Sequence, residues 1–341
     1  MAANDRGSRP ARTMSDVAAE AGVSTATVSR VLTGAVAVAP ATAAHVLKAV
    51  ADLGYRPNAV ARSLRVERTR TLGLVIGDVL NPFFTELSRA VEDAARERGY
   101  LLIVGNADED ARRQDNYVNI LLDRRVDGLL VTPALGAASV LREAVRFGAA
   151  IVFVDRGIAD IDAPIVRADG ARAIDQLIGH LAALGHTRIA LISGPRDLTT
   201  GAERLSAFRA ALAARSLALP EGYLQFGDFR MESGTVAMQR LLELDPVPTA
   251  VFAADNLMAL GAIRTLRRRG LRIGADIALA SFDDLPWFDL LEPPMTAIAQ
   301  PTAALGRAAV EAVLALLDGK RARSRTLPCR LVVRGSCGES Q

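Results

Sequence analysis

The feature that most constrains the fold is a regular alternation of short apolar runs with amphipathic segments, which begins at Leu72 and continues almost to the end of the chain. The runs LGLVIGDV, LLIVGN, GLLVT and AIVFVD are apolar nearly throughout, and the segments between them repeat apolar residues at helical spacing. Strands of this kind are typical of parallel sheets that helices cover on both faces. The pattern predicts an α/β body over residues 71–341.

The alternation resumes in the second half of the chain with the strand-like runs RIALIS, YLQFGD, TAVFAA, IALASF and RLVVRG. About ten strands are many for one open sheet. We therefore expect two doubly wound lobes. No linker rich in Pro, Gly and Ser separates them, so we expect the lobes to interleave.

A different pattern precedes this body. Ser15 is a candidate N-cap for a first helix, Gly22 breaks that helix, and Ser24 is a candidate N-cap for a second helix that runs to about Leu32. Two short helices joined by a tight glycine turn predict a helix-turn-helix.

The outward face of the second helix has small, hydroxyl and guanidinium side chains. Thr25, Ala26, Ser29 and Arg30 lie on this face, opposite the apolar residues of the same helix. Small side chains allow close approach to a DNA major groove, and an arginine can form two hydrogen bonds with a guanine edge. This face is therefore a candidate nucleic-acid contact.

A third helix is expected to begin at Pro40 and end at Gly54. Its predicted apolar stripe consists of Val46, Leu47, Val50 and Leu53. A short run follows Pro57, and a helix this short is marginal in water. We therefore expect residues 57–70 to form a hinge that DNA or a partner chain stabilises.

The order SDVAAEAGVSTATVSRVL, then LGYRPN, then AVARSL resembles the DNA-binding headpiece and hinge of the lactose-repressor (LacI/GalR) family. The resemblance implies a DNA-binding domain over residues 14–56, with Thr25, Ala26 and Arg30 reading bases and Leu64 wedging into the minor groove. The candidate DNA-binding residues are Ser24, Thr25, Ala26, Thr27, Ser29, Arg30, Asn58 and Leu64.

Three positions depart from this family's usual pattern, namely Thr33, Ala39 and Ala43. Ala39 has no side-chain oxygen to cap the third helix, and Ala43 removes a possible phosphate contact. We expect these departures to lower the affinity for an operator.

Charge is distributed unevenly along the 341 residues. Residues 1–70 hold ten Lys/Arg and five Asp/Glu, a net +5, so the remainder of this +3 chain carries −2. A basic head on a mildly acidic body places the nucleic-acid contact near the N-terminus. Residues 1–13 are predicted to be a disordered basic arm.

Other features bear on the compartment. We find neither a secretory signal nor an apolar run long enough to span a membrane. Cys329 and Cys337 are interpreted as two ordinary thiols. A cytoplasmic protein with no membrane partner is expected.

Polar and aromatic residues follow the predicted strands of the body. They include Asp78, Asn81, Asn256, Asp284 and Trp287 beside the candidate effector-binding set Phe83, Phe84, Arg156, Thr200, Arg204, Phe229, Asp255 and Asp283. Ligands of open α/β sheets bind beyond the carboxyl ends of the strands. We therefore predict a site for a small polar ring compound at this edge. Asp255 and Asp284 have an alternative interpretation as helix N-caps.

The family resemblance extends over nearly the whole body, through NPFF, TTGAERLSAF, GDFRMESG, AADNLMALGA and SFDDLPWFDLLEPPMTAIAQP. It implies a core similar to periplasmic sugar-binding proteins, with the last helix and strand crossing back between the lobes. GDFRMESG is similar to the block of purine-responsive members, in which the Phe stacks on the base. However, Leu198 stands where those members have an Arg.

Enzymatic chemistry has little support in the sequence. His45, His180 and His186 lie in no catalytic constellation, and GxSxG, HExxH, P-loop and GxGxxG motifs are absent. No catalytic residue, metal site or cofactor is therefore predicted. A transport-type sugar-binding protein would share the body fold but would lack the headpiece.

We therefore predict a repressor that binds a palindromic double-stranded operator as a homodimer, because one short recognition helix reads too few bases. The expected effector is a sugar or sugar derivative, with a nucleobase as the alternative. Its binding would change the angle between the lobes and thereby move the two hinges.

Overall fold

A computed structural model describes residues 12–33, 37–55, 68–136 and 138–338. The predictions for the basic arm and the hinge, including those for Asn58 and Leu64, lie largely or wholly outside the described residues. The chain divides into two compact units, Met1–Thr69 and Arg70–Gln341.

The first unit contains α1 (Met14–Glu20), α2 (Thr25–Thr33) and α3 (Pro40–Leu53). Helix α1 begins one residue before Ser15, so the prediction that Ser15 caps it was wrong. Instead Thr13 is the cap: its Oγ1 accepts from the Asp16 backbone N–H, and its own N–H donates to the Asp16 carboxylate at 2.7 Å. An acidic residue three positions after the cap makes this reciprocal arrangement possible.

The cap of α2 was predicted correctly, because Ser24 Oγ accepts from the Thr27 N–H at 3.1 Å. Ala39 precedes α3 without a side-chain capping bond, and Gly54 ends that helix with φ +59°, both as expected. Leu47, however, is 54% exposed. The buried side of α3 is centred on Val46 and Ala49, and Leu47 is turned about 100° away from Val46.

The core of this unit joins all three helices. Its buried members are Val17, Ala18, Val28, Val46, Ala49 and Tyr55. Val28 is fully buried, so the opposite side of α2 is the side left to solvent. Packing of these apolar faces stabilises helices that are individually too short to be stable in water.

The second unit contains two six-stranded sheets. The sheet of the first lobe has the order β11-β5-β4-β3-β1-β2 and consists of β1 (Thr71–Ile76), β2 (Leu101–Asn106), β3 (Gly128–Val131), β4 (Ala150–Val154), β5 (Ile165–Asp169) and β11 (Arg325–Pro328). The sheet of the second lobe has the order β12-β10-β9-β8-β6-β7 and consists of β6 (Ile189–Ser193), β7 (Leu224–Phe226), β8 (Ala250–Ala253), β9 (Ala278–Phe282), β10 (Thr296–Ala299) and β12 (Arg330–Val332). Strands pair in parallel except β10 with β12.

Helices cover both faces of each sheet, as the apolar strands predicted. In the first lobe α4 (Pro82–Glu97) and α11 (Thr302–Leu317) pack on one face, and α5 (Ala111–Asp123) and α6 (Ser139–Arg146) on the other. In the second lobe α9 (Met231–Leu242) and α10 (Asn256–Arg268) lie opposite α7 (Ala171–Ala183) and α8 (Thr199–Ala213). Each described helix is too short or too polar to cross a bilayer.

The lobes interleave through three crossings of the chain, after β5, after β10 and after β11. The expected return of the last helix is confirmed, because α11 packs in the first lobe. The last strand was assigned wrongly. It is β11 that pairs with β5 of the first lobe, and β12 returns to the second.

Candidate functional site

The candidate DNA-binding face lies on α2. Ser24, Thr25, Ala26 and Arg30 are exposed there, and Thr27 and Ser29 are half-buried. The hydroxyls of Ser24 and Thr27 lie 2.9 Å apart and cap the helix, so Thr27 has a structural role as well. The face is narrow and free of bulky apolar groups, which suits insertion of a helix into a major groove.

The second candidate site is a cleft between the two lobes of the body. All eight predicted effector-binding residues line it: Phe83, Phe84, Arg156, Thr200, Arg204, Phe229, Asp255 and Asp283. The carboxyl ends of the parallel strands in both sheets therefore meet at one place. The cleft is narrow, with a cavity volume of about 30 Å³.

The aromatic wall comes from the start of α4. Asn81 caps this helix by accepting from the Phe83 N–H at 3.0 Å, and Pro82 is its first residue. The rings of Phe83 and Phe84 meet edge to face with centroids 5.1 Å apart. Both side chains are also buried in the core of the first lobe. These two rings therefore belong to the core of the first lobe and line the cleft at the same time.

A buried guanidinium lies beneath this wall. Arg156 is 2% exposed and donates from Nη2 to Glu109 Oε1 at 2.5 Å, whereas its Nε lies 3.8 Å from Asp155 Oδ2 and forms no hydrogen bond with the described residues. Burial raises the pKa of the neighbouring Asp155 to about 6, although Arg156 and Arg204 oppose that shift. An unsatisfied buried donor beside a buried carboxyl group is suited to a hydroxyl-bearing ligand.

The second lobe contributes a fixed cation and a carboxylate. Arg204 lies 3.6 Å above the centroid of the Phe282 ring and donates from Nη1 to the Ala254 carbonyl at 2.7 Å. Asp283 accepts from Asn256 Nδ2 at 2.9 Å and from Gln300 Nε2 at 2.7 Å. These bonds hold both charged groups in one orientation at the cleft.

Asp255 has the dual role that the sequence left open. It caps α10 by accepting from the Met258 N–H at 3.0 Å, and it also lines the cleft. Burial, reinforced by the nearby Asp283 charge, raises the pKa of Asp255 to about 7. Asp284 differs, because its carboxylate pairs with Arg334 at 2.7 Å and it neither caps a helix nor lines the cleft.

Strained backbone also occurs at the cleft. Asp155, Phe229 and Asp283 have φ values of +71°, +64° and +68°. A residue other than glycine costs of order 1–3 kcal/mol in such a conformation, and strain of this kind clusters at binding sites. In each case the strained residue lies just after a strand and its side chain lines the cleft.

Six residues that line the cleft lie outside the predicted set of eight: Asp78, Asn81, Glu109, Asp155, Arg230 and Gln300. Gln300 directly follows β10, a strand that was not predicted, and Glu109 and Arg230 follow β2 and β7. Arg230 donates to Asp108 across the cleft at 3.2 Å. The position of a residue just after a strand was the signal that could have found them.

Both units of the chain match known protein families. The model of bacterial regulatory proteins of the lacI family matches residues 13–58, and that of the periplasmic binding protein-like domain matches residues 178–337. The chain is 34% identical over 331 residues to the HTH-type transcriptional repressor CytR of Escherichia coli (strain K12), covering 96% of each chain. It is 37% identical over 304 residues to the ribose operon repressor of the same organism, covering 89% of this chain and 92% of that one.

A solved structure shows the same architecture. The lac repressor dimer bound to operator and the anti-inducer ONPF superposes with a TM-score of 0.85 and 30% identity, covering 96% of this chain and 100% of that chain. The likeness includes both the helical unit and the two-lobed body.

Proposed function

This chain belongs to the lacI family of bacterial regulatory proteins and is a DNA-binding transcriptional regulator, and we propose that its effector is a neutral polyhydroxylated compound, a sugar or sugar derivative, held by the cleft residues. The observation that carries this proposal is the balance of charge in the cleft. Five carboxyl groups line it, from Asp78, Glu109, Asp155, Asp255 and Asp283, against the three guanidinium groups of Arg156, Arg204 and Arg230.

This balance favours a neutral ligand over an anionic one. A sugar phosphate would need an excess of positive charge or a helix N-terminus free of carboxylates. Carboxylates accept hydrogen bonds from hydroxyls, Arg156 Nε is available as a donor, and aromatic rings cover the apolar face of a sugar. The ribose operon repressor is named for a sugar, which agrees with this class.

A nucleobase is the second candidate, and Phe229 in the cleft is the observation in its favour. However, the purine-responsive members that the sequence resembles have an Arg where this chain has Leu198, which has no polar side-chain atom with which to bond a base edge. A buried base with unpaired donors and acceptors would bind weakly. The sugar therefore remains the better-supported class.

We assign the DNA contact to Ser24, Thr25, Ala26, Thr27, Ser29 and Arg30, with Asn58 and Leu64 of residues 57–70 as the hinge contribution. We propose that the working unit is a cytoplasmic homodimer on a palindromic operator; the similar lac repressor, which is a dimer bound to operator, supports the dimer and the operator contact. Exposed apolar side chains at and beside the edge strand β2 of the first lobe support dimerisation: Leu80, Leu101 and Val104 are 80%, 64% and 46% exposed. Exposed apolar clusters are typical of interfaces.

Effector control follows from the two lobes. A ligand that binds both of them favours the closed arrangement, and it shifts DNA affinity only by its differential affinity for the two arrangements. The cleft residues bind and orient this ligand, and we assign them no catalytic step.

The test is a thermal-shift screen of the purified full-length protein against neutral sugars, sugar phosphates and nucleobases. A ligand at 100 times its Kd stabilises a protein by about 2.7 kcal/mol, which is readily visible. We expect neutral sugars to raise Tm. Each positive compound is then added to the protein bound to DNA sites that it has selected from a random pool. A screen in which only phosphates or only nucleobases raise Tm would refute the proposed class.

A further inference from the structure

A series of buried hydrogen bonds crosses from the second lobe to the first, and Asn256 lies at its centre. This residue is the first of α10, is fully buried and does not line the cleft. Its Nδ2 donates to Asp283 Oδ2 in its own lobe at 2.9 Å and to Asn81 Oδ1 in the first lobe at 2.9 Å. One amide group therefore holds a carboxylate of the cleft and a side chain of the opposite lobe at the same time.

The bonds continue beyond Asn256 in both directions. In the second lobe, Asp283 also accepts from Gln300 Nε2 at 2.7 Å, and Gln300 lies at the start of the crossing from β10 to α11. In the first lobe, Asn81 Oδ1 also accepts from the Phe83 N–H at 3.0 Å, the bond that caps α4. We call these bonds the cross-lobe relay, and its members are Gln300, Asp283, Asn256 and Asn81.

A second bond returns from the first lobe to the second. Asn81 Nδ2 donates to Asp255 Oδ2 at 3.2 Å, and Asp255 Oδ1 accepts from the Met258 N–H at 3.0 Å, the bond that caps α10. The side chains that cap α4 and α10 are therefore bonded to each other. A change at either helix start has a direct route to the other.

The burial of the relay distinguishes it from other polar contacts between the lobes. Arg167 pairs with Glu203 and Arg230 pairs with Asp108 across the lobes, but these four side chains are 32–52% exposed. Exposed ion pairs contribute little to stability and are screened by salt. A buried amide that loses its partner is costly, because water does not replace the bond. Loss of a bond at Asn256 should therefore affect the lobes more than loss of either ion pair.

We propose that Asn256 is a positioning residue that couples the cleft carboxylate Asp283 to the start of α4 in the opposite lobe. Without its amide group, both Asp283 and Asn81 lose a bond that fixes their orientation. The coupling of the lobes follows from these bonds alone. Its use in effector control rests on the proposed function, because that function assigns Asp283 to the effector. Asn256 then acts through Asp283 and does not touch the effector.

Hydrogen exchange of the effector-free, full-length protein, followed by mass spectrometry, tests the coupling without a ligand. In Asn256→Ala we expect amides at the start of α4 to exchange about threefold or more faster, because Asn81 loses a bond that holds its capping oxygen. A purely local role of Asn256 would raise exchange only in α10. Asn119→Ala, at an exposed position of α5, is the matched control and should change neither helix start.

The reverse experiment begins in the first lobe. Asn81→Ser retains an N-cap oxygen for α4, because Ser and Asn are similarly good N-caps, but its shorter side chain does not reach Asp255. We expect faster exchange at the start of α10, where Asp255 caps the Met258 N–H. Coupling between two sites is reciprocal, so each variant should act on the opposite lobe.

Faster exchange at the opposite helix start in both variants, with α5 unchanged, would support the coupling. If Asn256→Ala accelerates exchange only within α10, or if Asn81→Ser leaves α10 unchanged, the inference is overturned. If Asn256→Ala fails to fold or accelerates exchange in every segment, Asn81→Ser decides the question alone.

The affinity of the same variants for the selected DNA site, measured without effector, separates this inference from the proposed function. We expect the affinity to change wherever the coupling is lost, because the arrangement of the lobes sets the positions of the hinges. If exchange shows the coupling but the affinity for DNA equals that of the wild type, control of DNA binding through the lobes is wrong while the role of Asn256 stands.

Discussion

The side-chain amide of Asn81, in the first lobe, donates to Asp255 Oδ2, in the second lobe, at 3.2 Å. Each residue is the N-cap of a helix, Asn81 of α4 and Asp255 of α10. Asn256 strengthens the link by donating from Nδ2 to Asn81 Oδ1 at 2.9 Å. Two helix starts that lie 174 residues apart in the chain are thereby joined across the cleft. These buried polar bonds therefore link the two lobes directly.

The first prediction concerns the pH dependence of the body's stability. The pKa of Asp255 is raised from 3.8 to about 7 in the folded protein, so the folded state holds its proton to higher pH than the unfolded state does. The associated stabilisation is fully present below pH 3.8 and is lost as pH rises to about 7. The loss is at most about 1.4 kcal/mol per pH unit. An amide does not titrate in this range, so in Asp255→Asn the free energy of unfolding should lose this part of its pH dependence.

Urea unfolding between pH 4 and pH 8 at constant ionic strength measures this effect. Asp155, whose pKa is about 6, adds a similar pH dependence to the free energy of unfolding, and Asp255→Asn keeps that contribution. The contribution of Asp255 is therefore the difference between the wild type and this variant. Asp162→Asn, at an exposed position, is the matched control. Parallel pH profiles for the wild type and Asp255→Asn would show that Asp255 titrates normally.

The second prediction concerns Arg204 and Asp283, which we expect to contact the effector. Arg204→Ala and Asp283→Ala should each weaken binding of the screened sugar by about 1–3 kcal/mol, because each leaves a buried polar group unpaired. DNA affinity without effector should be unchanged in Arg204→Ala if the sugar is an inducer, and tight operator binding should be lost if it is a corepressor. Isothermal titration measures the affinity, with the exposed Arg209→Ala on α8 as control. Unchanged affinity in both variants would place the site elsewhere.

The third prediction concerns the exposed face of α2. Arg30→Ala should cost about 1–3 kcal/mol at one base position per half-site, because a bidentate contact to a guanine edge would be lost. Arg30→Lys keeps the charge but not the planar fork, so it should lose the same base preference with a smaller loss of non-specific binding. Fluorescence anisotropy on the selected site and its single-base variants measures both. A uniform loss on every sequence would assign Arg30 to a phosphate instead.

The fourth prediction concerns Leu64, which lies outside the described residues and is argued from sequence alone. An apolar side chain in a short basic segment is explained if it inserts at a base step and kinks the duplex. Leu64→Ala should reduce operator affinity and bending while leaving the Tm of the body unchanged. Gel-shift circular permutation reports bending. A variant that binds and bends DNA like the wild type would rule out the wedge.

The fifth prediction concerns the exposed apolar residues of the edge strand β2. Val104→Glu introduces a charge at a 46% exposed position of this strand. Burial of an unpaired charge in an interface is costly, so the dimer should dissociate and operator affinity should fall. Sedimentation velocity measures the shift from dimer to monomer. Phe147→Glu, at a 76% exposed residue that follows α6, is the control. A Val104→Glu protein that remains dimeric would exclude Val104 from the interface.

The cleft shows which of its residues the order of strands along the sequence can predict and which it cannot. Arg204 and Asp283 line the cleft, as their positions in the sequence predicted, because each follows a strongly apolar strand and parallel strands place their carboxyl ends at one edge. Gln300 was not predicted, because the strand β10 that precedes it was not recognised; β5 and β11, which are short and partly polar, were missed as well. Short strands at or near sheet edges have too little apolar periodicity to be recognised.

The sequence by itself determined the helix-turn-helix, the α/β repetition and the edge of the sheets where a ligand would bind, because these depend on residues within one or two turns or on strand ends. Only the tertiary structure decided which side chains meet across the cleft, such as Asn81 with Asp255 and Gln300 with Asp283. It also decided that a second cavity adjoins the cleft beside Arg204. Such hydrogen bonds and cavities depend on how the three crossings set one lobe against the other, and no periodicity along the chain encodes that arrangement.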